Sequence, residues 1–140
     1  MKTIATVGPV GHIPRVPGTA GSLVGLLVAW ILSGSSIHQL AGCLVAIGLA
    51  LWSAGPTAKK IGSSDPPQIV IDEVAGMMVA LVALPVSFKV YVAGFLLFRF
   101  FDVVKPFPIR KAQELPGSLG IVLDDLLAGL FSHLVLRLFF

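Results

Sequence analysis

The feature that most constrains this chain is a run without a charged side chain, from Val16 to Ala58. A helix that crosses a lipid bilayer needs about 20 mostly apolar residues, so this run is long enough for two crossings. Over its 140 residues the chain is 56% hydrophobic and only 12% charged, whereas a soluble domain carries about 25% charged residues. These features predict an integral membrane protein.

Five apolar segments bounded by turn residues are predicted as helices, at about residues 19–32, 37–54, 69–84, 91–104 and 119–140. Ser36 and Gln39 have the spacing of a capping box at the start of the second segment, and Gly55-Pro56 is expected to end it. Several segments are short for a full crossing, so some are expected to tilt or to be re-entrant. We predict one all-α domain over residues 1–140, a compact polytopic membrane bundle of about four to five hydrophobic helices.

The basic residues of the chain fall in alternate connections. The first connection has none and the third has only Lys89, whereas the N-terminal arm and the second and fourth connections together hold Lys2, Arg15, Lys59, Lys60, Lys105, Arg110 and Lys111. The positive-inside rule therefore places the N-terminus and those two connections in the cytoplasm. Topology and contact with anionic lipid explain the net charge of +3, and no aromatic–basic interleaving points to nucleic acid.

With this topology, three helices carry carboxylates to one level near the cytoplasmic end: Asp72, Glu73, Asp102, Asp124 and Asp125. Five neighbouring carboxylates repel one another, and a divalent cation would relieve the repulsion. Oxygen ligands suit Mg²⁺ or Ca²⁺ and do not suit zinc. The histidines His12, His38 and His133 are far apart, which favours packing or interfacial roles for them.

Cationic side chains accompany these acids. Arg99 and Lys105 each lie three residues from Asp102 and share its helix face, and Arg110 follows in the next loop. Carboxylates that hold Mg²⁺ beside arginine and lysine are suited to binding a phosphoryl group. In a plainer interpretation, Arg99 and Asp102 form only a structural ion pair, and Lys59 and Lys60 are topology signals.

The start of the first segment, PGTAGS at residues 17–22, is expected at the same level. Gly18 and Gly21 would let backbone approach a phosphate, and Thr19 and Ser22 would donate hydrogen bonds at a helix N-terminus. The same glycines also suit helix packing.

Two acidic stretches resemble each other, IVIDEVAG at residues 69–76 and IVLDDLLAG at 121–129. Asp72 and Gly76 are four residues apart, as are Asp125 and Gly129. Each glycine therefore lies on the same helix face as its carboxylate and leaves room for a ligand or another helix.

A small cation-binding membrane transporter or channel is the alternative function. That class places its charges near the middle of the membrane and often shows an inverted repeat. Here the acids are expected near one interface. The DGxxAR pattern of CDP-alcohol phosphotransferases and the KxxxxxxRP pattern of histidine-dependent lipid phosphatases are both absent.

Four motifs then occur in order: PGTAGS, DPPQIVIDEVAG, FRFFDVVKPFPIR and GSLGIVLDDLLAG. Together they resemble the phosphatidylglycerophosphatase A family, from about Gly11 to the C-terminus. The chain has Gly117-Ser118 where the family usually has two glycines, and Val122 where it often has methionine. Neither change removes a charged group.

The resemblance implies a Mg²⁺-dependent, multi-pass hydrolase of the bacterial inner membrane with its active site facing the cytoplasm. Its expected reaction, in phospholipid biosynthesis, removes the terminal phosphate of phosphatidylglycerophosphate to give phosphatidylglycerol. Its partners would be this substrate and membrane lipids. The expected catalytic residues are Asp72, Glu73, Asp102 and Asp125. The expected metal ligands are Asp72, Glu73, Asp102, Asp124 and Asp125, and the expected phosphate contacts are Thr19, Ser22, Arg99, Lys105 and Arg110.

Overall fold

The computed structural model describes all 140 residues, and its regular structure is entirely helical. The α-helices are α1 (Lys2–Ala5), α2 (Pro17–Ile31), α3 (Ser36–Ile61), α4 (Ile71–Leu81), α5 (Phe88–Val104), α6 (Ile109–Ala112) and α7 (Gly117–Phe139). Two 3₁₀ turns lie at Val10–His12 and Leu32–Gly34. The packed helical bundle confirms the predicted fold class.

Three helices are long and apolar enough, by length and composition, to cross a membrane: α2 with the turn that follows it, α3 and α7. Their outer surfaces expose large apolar side chains such as Trp30, Ile37, Leu44 and Leu138. Water would disfavour so much exposed apolar surface, whereas lipid would not. The exposed surface therefore agrees with a membrane protein.

The third predicted segment forms the short helix α4 at the centre of the bundle. Its 11 residues span about 16 Å at 1.5 Å per residue, too little for a bilayer. It packs against α2, α3, α5 and α7, and Ala75, Met77 and Leu81 are fully buried. The first turn of α4 therefore carries Asp72 and Glu73 into contact with neighbouring helices rather than with lipid.

The prediction that Gly55-Pro56 ends the second segment is wrong, because α3 continues to Ile61 with Pro56 inside it. Proline removes one backbone donor from the helix. Here the neighbouring amide of Gly55 donates to the Ser118 hydroxyl at 2.7 Å, and Thr57 and Ala58 are buried against the bundle. Packing of the final turns thus offsets the bond that Pro56 cannot make.

The predicted capping box at Ser36 and Gln39 is also wrong. The N-cap of α3 is Ser35, and no side chain caps that helix. Gln39 is buried and reaches across the bundle: its Oε1 accepts from the Ala83 amide at 3.0 Å, and its Nε2 donates to the Ala29 carbonyl at 3.5 Å. The side chain thereby holds the turn after α4, where Ala83 has a φ of 55°.

We expect Gln39→Ala to lower the free energy of unfolding by about 1–3 kcal/mol, since the Ala83 amide loses its partner. His38→Ala is the matched control, because His38 is the exposed neighbour on the same helix and such surface changes stay within about 0.5 kcal/mol. Thermal unfolding in detergent micelles, followed by circular dichroism, measures both variants. Equal unfolding of the two would contradict the bridging role of Gln39.

The helices α4 and α7 run parallel, with their backbones in close contact. A Cβ at Gly76 would lie 2.6 Å from the Asp125 carbonyl oxygen, and one at Gly129 would clash with the Gly76 carbonyl. One turn further on, the His133 ring lies 3.3 Å from the Ala80 carbonyl, 53 residues away in sequence. Gly76 and Gly129 have the same separation, as do Asp72 and Asp125. The two glycines therefore fix a register that brings Asp72 beside Asp125.

The N-terminal arm, for which the sequence predicted no helix, supports the start of α4. The Ala5 carbonyl accepts from the Val70 amide at 2.9 Å, and a Cβ at Gly11 would clash with the Gln68 carbonyl. Ala5 is fully buried. The arm thus anchors the loop that leads into the first turn of α4.

Candidate active site

One end of the bundle gathers carboxylates from α4 and α7. Asp72, Asp124 and Asp125 each offer an oxygen atom, and these atoms lie within 4.8 Å of one another. All three residues are buried. Glu73 follows Asp72 in the first turn of α4, and Asp102 at the end of α5 is linked to Asp124 because both carboxylates contact Lys105. This arrangement agrees with the prediction that three helices, here α4, α5 and α7, bring their acids together.

Two cations neutralise one side of this acidic cluster. Arg99 Nη1 donates to Asp102 Oδ2 at 2.5 Å. Lys105 Nζ lies 2.8 Å from Asp124 Oδ2 and 3.4 Å from Asp102 Oδ1, and so joins α5 to α7. A second oxygen of Asp124 accepts from the Asp125 amide at 2.9 Å. Asp102 and Asp124 are therefore well satisfied within the protein.

Lys105 ends α5 in a left-handed conformation, with a φ of 50°. Burial alone lowers the pKa of Lys105, but its hydrogen bond to Asp124 and the charges of Asp124, Asp102 and Asp125 together raise that pKa above its ordinary value. Lys105 therefore remains a cation at neutral pH and can hold an anion in place.

The other side of the cluster has no cationic partner. Asp72 Oδ1, Glu73 Oε2 and Asp125 Oδ2 are enclosed and make no hydrogen bond. An enclosed carboxylate oxygen without a partner is costly, and a hard divalent cation satisfies such oxygens. The donor set contains oxygen atoms only, as Mg²⁺ prefers. The residues present therefore fit a Mg²⁺ ion.

The start of α2 reaches the acidic cluster at Gly18. A Cβ placed there would lie 3.0 Å from Glu73 Oε1 and 3.3 Å from Arg99 Nη1. Gly21, by contrast, packs against Val70, to which its Cβ would come within 2.8 Å. Of these two glycines, only Gly18 lies beside charged atoms of the site.

The predicted phosphate contacts occupy different positions. Thr19 is half-buried in the first turn of α2. Ser22 is fully buried, and its hydroxyl donates to the Gly18 carbonyl at 2.9 Å, so it already has a partner within its own helix. Arg110 is exposed on α6 and donates to the Val104 carbonyl at 3.4 Å. Arg99 and Lys105 are the two whose charges contact the acids.

Asp65 is a further acid at this end that the sequence analysis left out. It accepts a hydrogen bond from Gln113 Nε2 at 3.4 Å. Asp65 is exposed, but partial loss of hydration and the negative charge of Asp72 raise its pKa above the usual range. Its position seven residues before Asp72, in the loop that enters α4, was the available signal.

The resemblance predicts a phosphatase, and we expect Lys105→Gln to lower its activity about 10- to 100-fold, since the expected charge-assisted contact to phosphate would be lost. The variant should also unfold more easily, because Asp102 and Asp124 lose a buried countercharge. Lys89→Gln is the control, since Lys89 is exposed in another connection and makes no ion pair. Phosphate release and thermal unfolding are measured for both. Unchanged activity in Lys105→Gln would contradict the assigned contact.

The family model described as phosphatidylglycerophosphatase A matches residues 3–140. No solved structure matches the chain.

The match to each of three curated relatives covers most of this chain and most of the relative. The phosphatidylglycerophosphatase A of Escherichia coli K12 is 40% identical, covering 87% of this chain and 73% of the relative. That of Haemophilus influenzae is 36% identical, covering 96% and 91%. A Bacteroides thetaiotaomicron protein, provisionally named a phosphatidylinositol-3-phosphatase, is 34% identical, covering 90% and 84%. The chain therefore belongs to the phosphatidylglycerophosphatase A family.

Proposed function

We propose that this protein hydrolyses the terminal phosphomonoester of phosphatidylglycerophosphate to give phosphatidylglycerol, with Mg²⁺ as cofactor. The observation that carries the proposal is the arrangement of its charges. Asp72 and Asp125 have unpaired oxygens and cluster with Asp124, which Lys105 contacts at 2.8 Å. Binding a phosphomonoester together with a metal ion requires both kinds of group. Carboxylate oxygens hold the cation, and cationic donors bind the phosphate oxygens.

The cofactor would be held by Asp72 and Asp125, with Glu73 and Asp124 beside them. Mg²⁺, when bound, supplies positive charge that polarises the phosphoryl group and makes water more acidic. Asp102 is less available as a ligand, because Arg99 and Lys105 already neutralise it. We therefore assign Asp102 to positioning the two cations.

The residues of this chain would then act on substrate and water. Arg99 and Lys105 donate to the phosphate oxygens, on which charge rearranges as the phosphorus–oxygen bond breaks. A carboxylate with free lone pairs, among Asp72, Glu73 and Asp125, accepts the proton of the attacking water. Gly18 leaves space for the phosphate beside the first turn of α2, where backbone amides favour an anion.

We further propose a multi-pass protein of the bacterial inner membrane whose acidic end faces the cytoplasm. The basic connections supply the orientation. The starts of α4 and α7 and the end of α5 contribute the acids, and the start of α2 lies beside them. The acyl chains of the substrate would remain in the bilayer while its phosphate reaches this end. An acidic site at one end also argues against the transporter alternative.

Phosphate release from purified protein in detergent micelles tests the proposal. Phosphatidylglycerophosphate and phosphatidic acid are offered separately, each with Mg²⁺ and with a chelator. We expect rapid release from phosphatidylglycerophosphate with Mg²⁺ and none with the chelator. Absence of release from phosphatidylglycerophosphate with Mg²⁺ would refute the activity, and equal rates with the chelator would refute the cofactor. A cation-flux assay in liposomes is expected to show no transport.

A further inference from the structure

A cavity of about 1080 Å³ lies beside the acidic cluster, between the end of α3 and the connection from α6 to α7. Lys59, Asp65, Arg110 and Glu114 line it, together with Ser118 near the start of α7. Pockets that take small molecules have volumes of about 300–1,000 Å³. This cavity therefore has room for a lipid head group, and none of the roles assigned above uses it.

The cavity offers both donors and acceptors. Lys59 and Arg110 are cations that form no ion pair in the structure, so both are free to bind an anion. Asp65 and Glu114 offer carboxylate oxygens that can accept from hydroxyl groups. No side chain caps the start of α7, so the backbone amides there add positive potential to the same wall. This mixture suits a ligand that carries both a phosphate and a hydroxyl group.

The cavity neighbours the acidic cluster through Asp65 and through a second, smaller cavity. Asp65 lies in its wall and is close enough to interact electrostatically with Asp72 and Lys105. Arg110 and Glu114 also line a smaller cavity of about 430 Å³, which has Lys105 in its wall. A ligand with one end at the acidic cluster would extend past Lys105, Arg110 and Glu114 toward the larger cavity.

We propose that this cavity holds the non-reacting part of the head group, its phosphodiester and glycerol hydroxyl, and that Lys59 binds the phosphodiester. The inference rests on the proposed function, because that substrate carries two phosphates joined by a three-carbon glycerol. With the terminal phosphate at the acidic cluster, the second phosphate lies within one glycerol length of it. Lys59 is then a specificity-determining residue, whereas the sequence analysis treated it as a topology signal.

Lys60 provides a matched control for Lys59. Both are exposed in the last turn of α3, so both contribute equally to the charge at the membrane surface and to the helix end. Only Lys59 lines the cavity. A difference between Lys59→Gln and Lys60→Gln therefore reports on the cavity and not on the overall charge.

The experiment measures kcat and KM for phosphatidylglycerophosphate in detergent micelles, and the inhibition constant of inorganic phosphate. A contact to the non-reacting phosphate is equally strong in the ground and transition states, so its loss raises KM and leaves kcat unchanged. We expect Lys59→Gln to raise KM about ten-fold or more with kcat within about two-fold. Inorganic phosphate competes with the terminal phosphate of the substrate, so its competitive inhibition reports on the acidic cluster and should stay the same. Lys60→Gln should match the wild type throughout.

Four results would overturn the inference. They are an unchanged KM in Lys59→Gln, a fall in kcat without a rise in KM, weaker inhibition by inorganic phosphate, and equal effects of the two lysine variants. Failure of the wild-type protein to hydrolyse phosphatidylglycerophosphate is a separate result, which would remove the proposed function and this inference together. Circular dichroism of each variant checks that its helical fold is intact.

Discussion

Asp72→Asn is expected to lower the rate of phosphate release from phosphatidylglycerophosphate by about 10²- to 10⁴-fold, the range for loss of a catalytic acid–base group. Asparagine has nearly the same shape as aspartate, so the packing of α4 is kept. The substitution removes the negative charge and replaces one carboxylate oxygen by an NH2 group, which cannot bind a cation; Asp72 Oδ1 has no partner within the protein. The measurement is kcat at saturating Mg²⁺.

The same variant should remain folded, which separates a chemical role from a structural one. Asp72 lies close to the acids Glu73 and Asp125, so removing its charge relieves repulsion. The midpoint of thermal unfolding should therefore stay at or above that of the wild type. Activity near the wild-type level in a folded Asp72→Asn protein would contradict the assignment of Asp72 to the active site.

Gly129→Ala is expected to abolish activity through a different route, by separating two helices. The added methyl group would clash with the Gly76 carbonyl, and backbone cannot rotate away as a side chain can. Overpacking of this kind costs about 1–3 kcal/mol or more. As α4 and α7 move apart, the oxygens of Asp72 and Asp125 no longer lie within reach of one ion. Phosphate release and thermal unfolding should both fall.

Gly48→Ala is the control for this variant. Gly48 lies within α3, and a Cβ there would meet nothing within 4 Å. Alanine favours a helix over glycine by up to about 1 kcal/mol, so Gly48→Ala should keep its activity and gain a little stability. If Gly129→Ala and Gly48→Ala behaved alike, close contact between α4 and α7 would not be what holds the site together.

Much of the fold could be predicted because apolar runs and their breakers are local signals. The end of α5 at Lys105-Pro106 is one example, since the residue before a proline disfavours helix. The continuation of α3 through Pro56 could not be predicted. It depends on the Ser118 hydroxyl, 63 residues from Gly55 in sequence. The bridging role of Gln39 is hidden for the same reason, because its partner Ala83 is 44 residues away.

The segment ends and the basic connections predict that five acids lie at the same depth, near the cytoplasmic end of the bundle. Their division into two groups was not predictable. Lys105 neutralises Asp102 and Asp124, whereas Asp72 and Asp125 keep unpaired oxygens. This division depends on how α5 and α7 are rotated about their axes, and sequence spacing fixes only which residues share a face.

The shared register of α4 and α7 has a consequence for how related chains can change in length. Extra residues in the connecting loops leave both helices where they are and do not disturb the acids. One residue inserted between Asp72 and Gly76 would turn the carboxylate by about 100° around the helix, away from Asp125. Insertions and deletions among relatives should therefore be confined to the loops, and the two four-residue intervals should keep their length even where the residues inside them differ.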